Sequence, residues 1–230
     1  MCSSYTSKSK MKKEEYELAF GKTWDNEDAE VKNAYVDEAG ENTIGFPGNN
    51  MPVITIEKPD VIQDYRFGFI PNWLNPDKLK EVKNTFNARI ETITELATWR
   101  DAWRKGQRCI VCTNGFYEFN KAEKRRIFIH LKNIMHFYYA GIYNNYVNKQ
   151  TGEIIKTMAI ITTSANSLVS QVHNRMPVII KPGDENLWMD NSADLNHLLI
   201  QFSEPINANF MVMENAEQKP NKSGQTELFG

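Results

Sequence analysis

The chain has 230 residues, 41% of them hydrophobic, 24% charged and 11% aromatic, which is enough apolar material for one large globular domain or two small ones. A net charge of −2 excludes a chain drawn as a whole to any polyanion, so nucleic-acid binding would need a local basic patch. Apolar runs such as residues 158–161 fall far short of the roughly 20 residues of a membrane-spanning helix, and the lysines at 8, 10, 12 and 13 are followed by Glu14 and Glu15 rather than the apolar stretch of a secretory signal.

In chain order, residues 11–39 are polar with a weak apolar stripe from Tyr16, Leu18, Ala19 and Phe20, and predict a helix. Gly40, Gly45, Pro47, Gly48 and Pro52 predict a loop over 40–52. Strands are predicted over 53–57 and 65–70, the second stopped by Pro71, and Asn75-Pro76-Asp77 reads as a helix start. Residues 85–92 read as extended, 96–105 as a helix with Trp99 and Trp103 one turn apart, and 108–119 as a strand broken at Asn114-Gly115. Strands follow over 127–131, 137–147, 154–163 and 177–180, with helices over 164–172 and 194–200. Residues 215–230 are polar and read as a flexible tail. Strands without regular alternation with helices predict an α+β fold, with residues 1–214 as one domain.

Several residues could carry chemistry. Cys2 follows Met1, and removal of the methionine would leave a free amine beside a thiol. An aldehyde condenses with such an amine, and the thiol then closes a thiazolidine ring, a reaction closed to an internal cysteine. With an amine pKa of about 7.7–8.0 and a thiol pKa of about 8.5, both nucleophiles are accessible near neutral pH. A cysteine at an uncut, disordered terminus would look the same. Asn87, Arg89 and Glu91 alternate on one face of an extended run, which suits an anion or a sugar as well as a solvated row. Glu118 stands among Phe116, Tyr117 and Phe119; if desolvated, it would have a raised pKa suited to proton transfer. His173 and Arg175 precede Pro177, an imidazole for moving a proton and a guanidinium for holding phosphate, unless both are structural. Lys124-Arg125-Arg126 is a solvated turn or an added phosphate contact. Cys109 and Cys112 lack further zinc ligands and, three apart on a strand, point to opposite faces, which favours two core cysteines. No cofactor or metal is expected.

The order of these segments resembles the SOS response-associated peptidase (SRAP) family. The resemblance is carried by Met1-Cys2, residues 67–73 (FGFIPNW), 87–92 (NARIET), Arg108-Cys109 running into 115–119 (GFYEF), Thr162-Thr163 and 173–177 (HNRMP). It implies a largely antiparallel, barrel-like β core with flanking helices. It implies self-removal of Met1 and capture of a ring-opened abasic site in single-stranded DNA by Cys2 as a thiazolidine crosslink, a lyase-like chemistry in the DNA damage response. Asn87 would then orient the amine, Glu118 would handle protons, and His173 would assist near the sugar hydroxyl. Arg89 and Arg175 would grip phosphates, and Thr162 would add a polar contact. Pro47, Phe67 and Phe119 would form apolar walls for the splayed strand. The implied protein is a cytoplasmic monomer, associated with the nucleoid when bound to DNA. The sequence departs from the family where Ser3-Ser4 replace Gly-Arg, where Phe67 and Phe119 replace Trp, and where Cys112 replaces Pro. Rival readings are an N-terminal-cysteine amidohydrolase, a non-covalent single-strand-binding module, and a redox protein using Cys109 and Cys112.

Overall fold

The computed structural model describes residues 5–8, 13–25, 35–36 and 42–216. In chain order they form β1 (Tyr5–Lys8), α1 (Lys13–Phe20), β2 (Thr23–Trp24), β3 (Tyr35–Val36), β4 (Asn42–Gly45), β5 (Asn50–Thr55), β6 (Lys58–Phe67) and β7 (Asn87–Arg89). Next come α2 (Arg100–Arg104), β8 (Arg108–Thr113), β9 (Gly115–Asn120), β10 (Arg125–Leu131), β11 (Phe137–Val147) and β12 (Ile154–Ser164). The last are β13 (Arg175–Pro177), β14 (Ile179–Ile180), α3 (Glu185–Trp188), α4 (Leu195–Ser203) and β15 (Met211–Asn215).

The long central strands are rich in β-branched and aromatic residues, which suit a pleated surface buried on both sides. Strand pairing runs β12-β11-β8-β5-β6 and returns from β6 to β12, closing a five-stranded barrel. Four of its pairings are antiparallel, and the closing one is parallel, with Thr157 opposite Arg66. A second sheet, in the order β15-β10-β9-β1-β4-β3, packs beside it. The architecture is the expected α+β, largely antiparallel barrel with flanking helices.

Side-chain alternation sorts the barrel wall into two cores. Ile110 and Cys112 of β8, Ala140 and Ile142 of β11, and Ala159 and Ile161 of β12 pack with Trp103, Trp188 and Phe202 of the helical layer. Cys109 and Val111, Tyr139 and Tyr143, and Met158 and Ile160 face the other way and join Phe116, Ile127 and Ile129 of the second sheet. Cys109 and Cys112 are thus free, buried thiols in separate cores. Arg108 fastens the helical layer to the wall: its buried guanidinium donates to the carbonyls of Trp188 (3.0 Å) and Asp190 (2.6 Å) just after α3.

Several local expectations are corrected. The helix expected over 11–39 is only α1, and Thr23–Trp24 and Tyr35–Val36 are short strands. Residues 40–52, expected as loop, contain β4 and the start of β5. The helix expected over 164–172 is a single 3-10 turn at Val169–Gln171, because the Asn166 side chain accepts from the backbone N–H of Leu168 and Val169 and turns the chain there. The strand expected over 85–92 stops at Arg89, and Ile90–Thr92 coil into a 3-10 turn. β15 runs to Asn215 and pairs with β10, so order reaches past residue 214, while residues 217–230 lie outside the described part.

Candidate active site

The C-terminal end of β12 gathers most of the candidate residues. It pairs with β7 on one side, setting Asn87 opposite Ile160 and Arg89 opposite Thr162. On its other side is β13, where Arg175 stands opposite Ser164. Asn87 and Thr162 are buried, and Arg89 is exposed with no ion-pair partner among the described residues.

Arg175 is held from three directions. Its Nη1 donates to Glu91 Oε1 at 2.5 Å, and its Nη2 to Glu91 Oε2 at 2.8 Å. Nη2 also reaches the Thr162 carbonyl at 2.7 Å and the Thr162 hydroxyl at 3.3 Å. Nε has no hydrogen-bond partner among the described residues. Burial is the largest single influence on the Glu91 carboxylate and works against it, but the Arg175 hydrogen bonds, a backbone hydrogen bond and the charges of Arg175 and Arg89 together hold the pKa below the ordinary value. Sequence reasoning placed Glu91 on a strand face. Its role as the bidentate partner of Arg175 was missed, because the turn after Arg89 brings together groups 84 positions apart.

His173 is fixed by the same backbone: its Nδ1 accepts from the Arg175 N–H at 3.0 Å. Burial lowers its pKa, and nearby positive charges, including Lys121, add to this, so the ring is neutral at physiological pH.

Glu118 comes from the facing sheet. Its β10 partner is Ile127, so the carboxyl lies on the sheet face turned toward the second core. It is 7% exposed, and Oε1 has no hydrogen-bond partner among the described residues. Burial pushes its pKa up to about 7, with the positive charge of the chain's amino terminus acting the other way. The same charge is among the causes acting on His173. A carboxyl poised near neutrality can both give and take protons.

A cleft of about 320 Å³ opens next to Asn87, lined by Pro47, Arg66, Phe67, Lys83 and Phe86 among others. Pro47 is exposed at its rim. Phe67 contributes from beneath: it is 0% exposed, with its ring edge-on to Phe86 at 5.8 Å, so it presents no open ring face as a wall. Phe119 does, being 52% exposed at the end of β9. Arg66 and Lys83 have no carboxylate partner among the described residues and were not foreseen; their signal is only that each sits beside a residue already singled out or a turn. Cys2 lies outside the described residues.

Comparison with known proteins bears on this arrangement. The model of the family described as SOS response associated peptidase (SRAP) matches residues 1–222. The chain belongs to this family. Abasic site processing protein YoqW of Bacillus subtilis is 32% identical over 64% of this chain, and abasic site processing protein HMCES of Xenopus tropicalis is 30% identical over 56%. The chain matches less than two thirds of these relatives' own lengths, 65% of YoqW and 45% of the Xenopus protein. A crystal structure from Bacteroides thetaiotaomicron superposes with a TM-score of 0.81 at 26% identity, covering 93% of this chain and 91% of that one. One from Bordetella bronchiseptica superposes at 0.77 and 26%, covering 94% and 100%. The SRAP barrel thus accounts for nearly the whole chain. Among the described residues no helix is long and apolar enough to cross a membrane.

Proposed function

We propose that this SRAP protein captures abasic sites in single-stranded DNA, forming a covalent thiazolidine through Cys2 once Met1 has been removed. The observation that carries the reading is Glu118, a buried carboxyl near neutral pKa with an open oxygen, on the strand that β1 pairs with. β1 and β9 are antiparallel, with Tyr5 opposite Phe116. Cys2 precedes Tyr5 by three residues, so chain length alone keeps it within about 11 Å of Tyr5.

The chemistry follows from the groups. Hydrolysis of the Met1–Cys2 bond frees the amine. The opened sugar presents an aldehyde, the amine attacks its carbon, and loss of water leaves an imine. The Cys2 sulfur then adds to the imine carbon and its proton passes to nitrogen, so the net release is one water. Protonated Glu118 donates to the departing hydroxyl, and its carboxylate recovers a proton later. Neutral His173 accepts a proton from the sugar hydroxyl during ring opening. Asn87 hydrogen-bonds and orients the amine. Arg89 and Arg175 serve the phosphates, and Phe119 and Pro47 the flanking bases.

The test is an intact-mass spectrum before and after mixing with an oligonucleotide carrying one abasic site. The expected result is a chain lacking Met1, then a mass equal to protein plus oligonucleotide less water, absent in Cys2→Ala. Retained Met1, or no adduct on an intact abasic site, would overturn the reading and leave non-covalent binding or amide hydrolysis to be tested.

A further inference from the structure

The strands that carry Glu118 toward the core turn a different set of side chains outward. Register pairs Phe119 with Arg126 and Tyr117 with Phe128, so these four share the face opposite Glu118, Phe116, Ile127 and Ile129. The Arg126 guanidinium sits between two rings, 5.2 Å from the centre of Tyr117 and 5.9 Å from that of Phe46. Phe128 continues the row 5.1 Å from Tyr117, and His130 stacks on Phe128 at 5.1 Å and 24°. Arg126 and Phe119 are exposed, Phe128 and His130 half-buried and Tyr117 buried, so part of this row of π-faces and its one cation are open to solvent.

The charge is basic at the turn end of the row, while at its other end His130 Nε2 lies 3.5 Å from the Glu214 carboxylate of β15. The β9–β10 turn brings Lys121, Lys124, Arg125 and Arg126 together against a single acid, Glu123. Glu123 is already taken by Arg125, whereas Arg126 makes no ion pair among the described residues. On a chain of net charge −2, that is a focused basic patch. It also adjoins the reaction site. Glu118 and Phe119 are consecutive on β9 and point to opposite faces, and the Lys121 charge is among those acting on His173.

We propose that the outer face of β9 and β10 is a track for single-stranded DNA, taking the nucleotides on one side of the lesion. Arg126 holds a phosphate, and Phe128 and His130 carry bases stacked on their rings. The proposal rests on the abasic-site reading and gives that site its strand path. Single-stranded DNA is the occupant because it supplies both things the face selects, a π-surface at every base and a negative charge at every linkage. A guanidinium stacked between rings keeps its edge free for a phosphate.

The test compares the native protein with Arg126→Gln and Phe128→Leu, which remove the cation and the π-face while keeping bulk. Capture rates are measured at low protein concentration on abasic oligonucleotides with about one or about twelve nucleotides on one side, then on the other. The expected result is a roughly tenfold advantage for the long flank on one side only. Both variants should lose most of that advantage, while their short-flank rates and melting temperatures stay native. Equal rates for long and short flanks in the native protein, or an advantage untouched by both variants, would overturn the track while leaving capture itself intact. If no oligonucleotide is captured, the abasic-site reading fails separately. The track is then judged by fluorescence anisotropy on an intact strand, where native affinity in either variant rejects it and weakened, less salt-dependent binding in Arg126→Gln supports it.

Discussion

Arg175 and Glu91 meet through two parallel hydrogen bonds, 2.5 and 2.8 Å long, between a guanidinium that is 11% exposed and a carboxylate that is 43% exposed. A fork of this kind fixes the plane of the arginine as well as its position. Glu91→Gln removes the charge while keeping an acceptor. A charge-assisted bond contributes about 1.5–3 kcal/mol, and screening at the half-open carboxylate reduces this, so the expected loss at pH 7 is about 1–2 kcal/mol. The folded pKa of Glu91 lies below its ordinary 4.5, so this stability is present above that value and fades as pH falls further. Denaturant titrations at pH 7 and at pH values below 4.5 check it: the gap between native and variant should narrow as the pH falls.

Glu118 has the opposite sign. Its folded pKa of about 7 exceeds the ordinary 4.5, so the folded chain holds the extra proton between these values and stability falls as pH rises through that window. The shift corresponds to about 3 kcal/mol of destabilisation above pH 7, an order-of-magnitude figure. Glu118→Gln, neutral at every pH, should therefore be more stable than the native protein by up to about 3 kcal/mol at pH 8 and equal to it near pH 4. Capture should suffer instead: loss of a positioned proton donor costs roughly 10²–10⁴ in rate. A variant both less stable at pH 8 and fully active would remove Glu118 from the chemistry.

These two carboxylates mark what a linear reading reaches. The break at Asn114-Gly115, the strands that became β10, β11 and β12, and the desolvation of Glu118 among aromatics were all legible, because burial on both faces of β11 and β12, and on one face of β10, imposes β-branched and aromatic residues. β2, β3 and β4 were not, since strands of two and four residues are too short to carry a period. The Glu91–Arg175 fork and the cleft cations Arg66 and Lys83 depend on how distant segments are brought together. Phe67, expected as an apolar wall of the site, is among the cleft's lining residues and is 0% exposed, a depth that its place in the sequence does not reveal.

Cys109 and Cys112 are both 0% exposed, and burial pushes both thiols up, well away from the thiolate form that reacts. In the native protein neither should react with a thiol reagent on the timescale of minutes, and both should react once the chain is unfolded. A Cys109→Ala/Cys112→Ala double variant should keep DNA capture while losing stability, since each deletes a buried group. Loss of capture in a folded double variant would revive the redox reading.

Gly115 supports the outward aromatic row from below. A Cβ added there would lie 2.5 Å from the Phe128 ring and 2.8 Å from the Ile129 carbonyl oxygen. The ring could swing away, but the carbonyl belongs to the β9–β10 ladder, where Phe116 pairs with Ile129, and cannot move without breaking it. Gly115→Ala should therefore cost about 1–3 kcal/mol and tilt Phe128 off its stack with His130. Calorimetry reads the first effect, and the His130 ring-proton shift, set by the current of the Phe128 ring 5.1 Å away, reads the second. The Phe128→Leu, Gly115→Ala double variant separates the two contacts. If the ring is the obstacle, shortening it should restore most of the lost stability. If the Ile129 carbonyl is the obstacle, the double variant should stay as unstable as the single one.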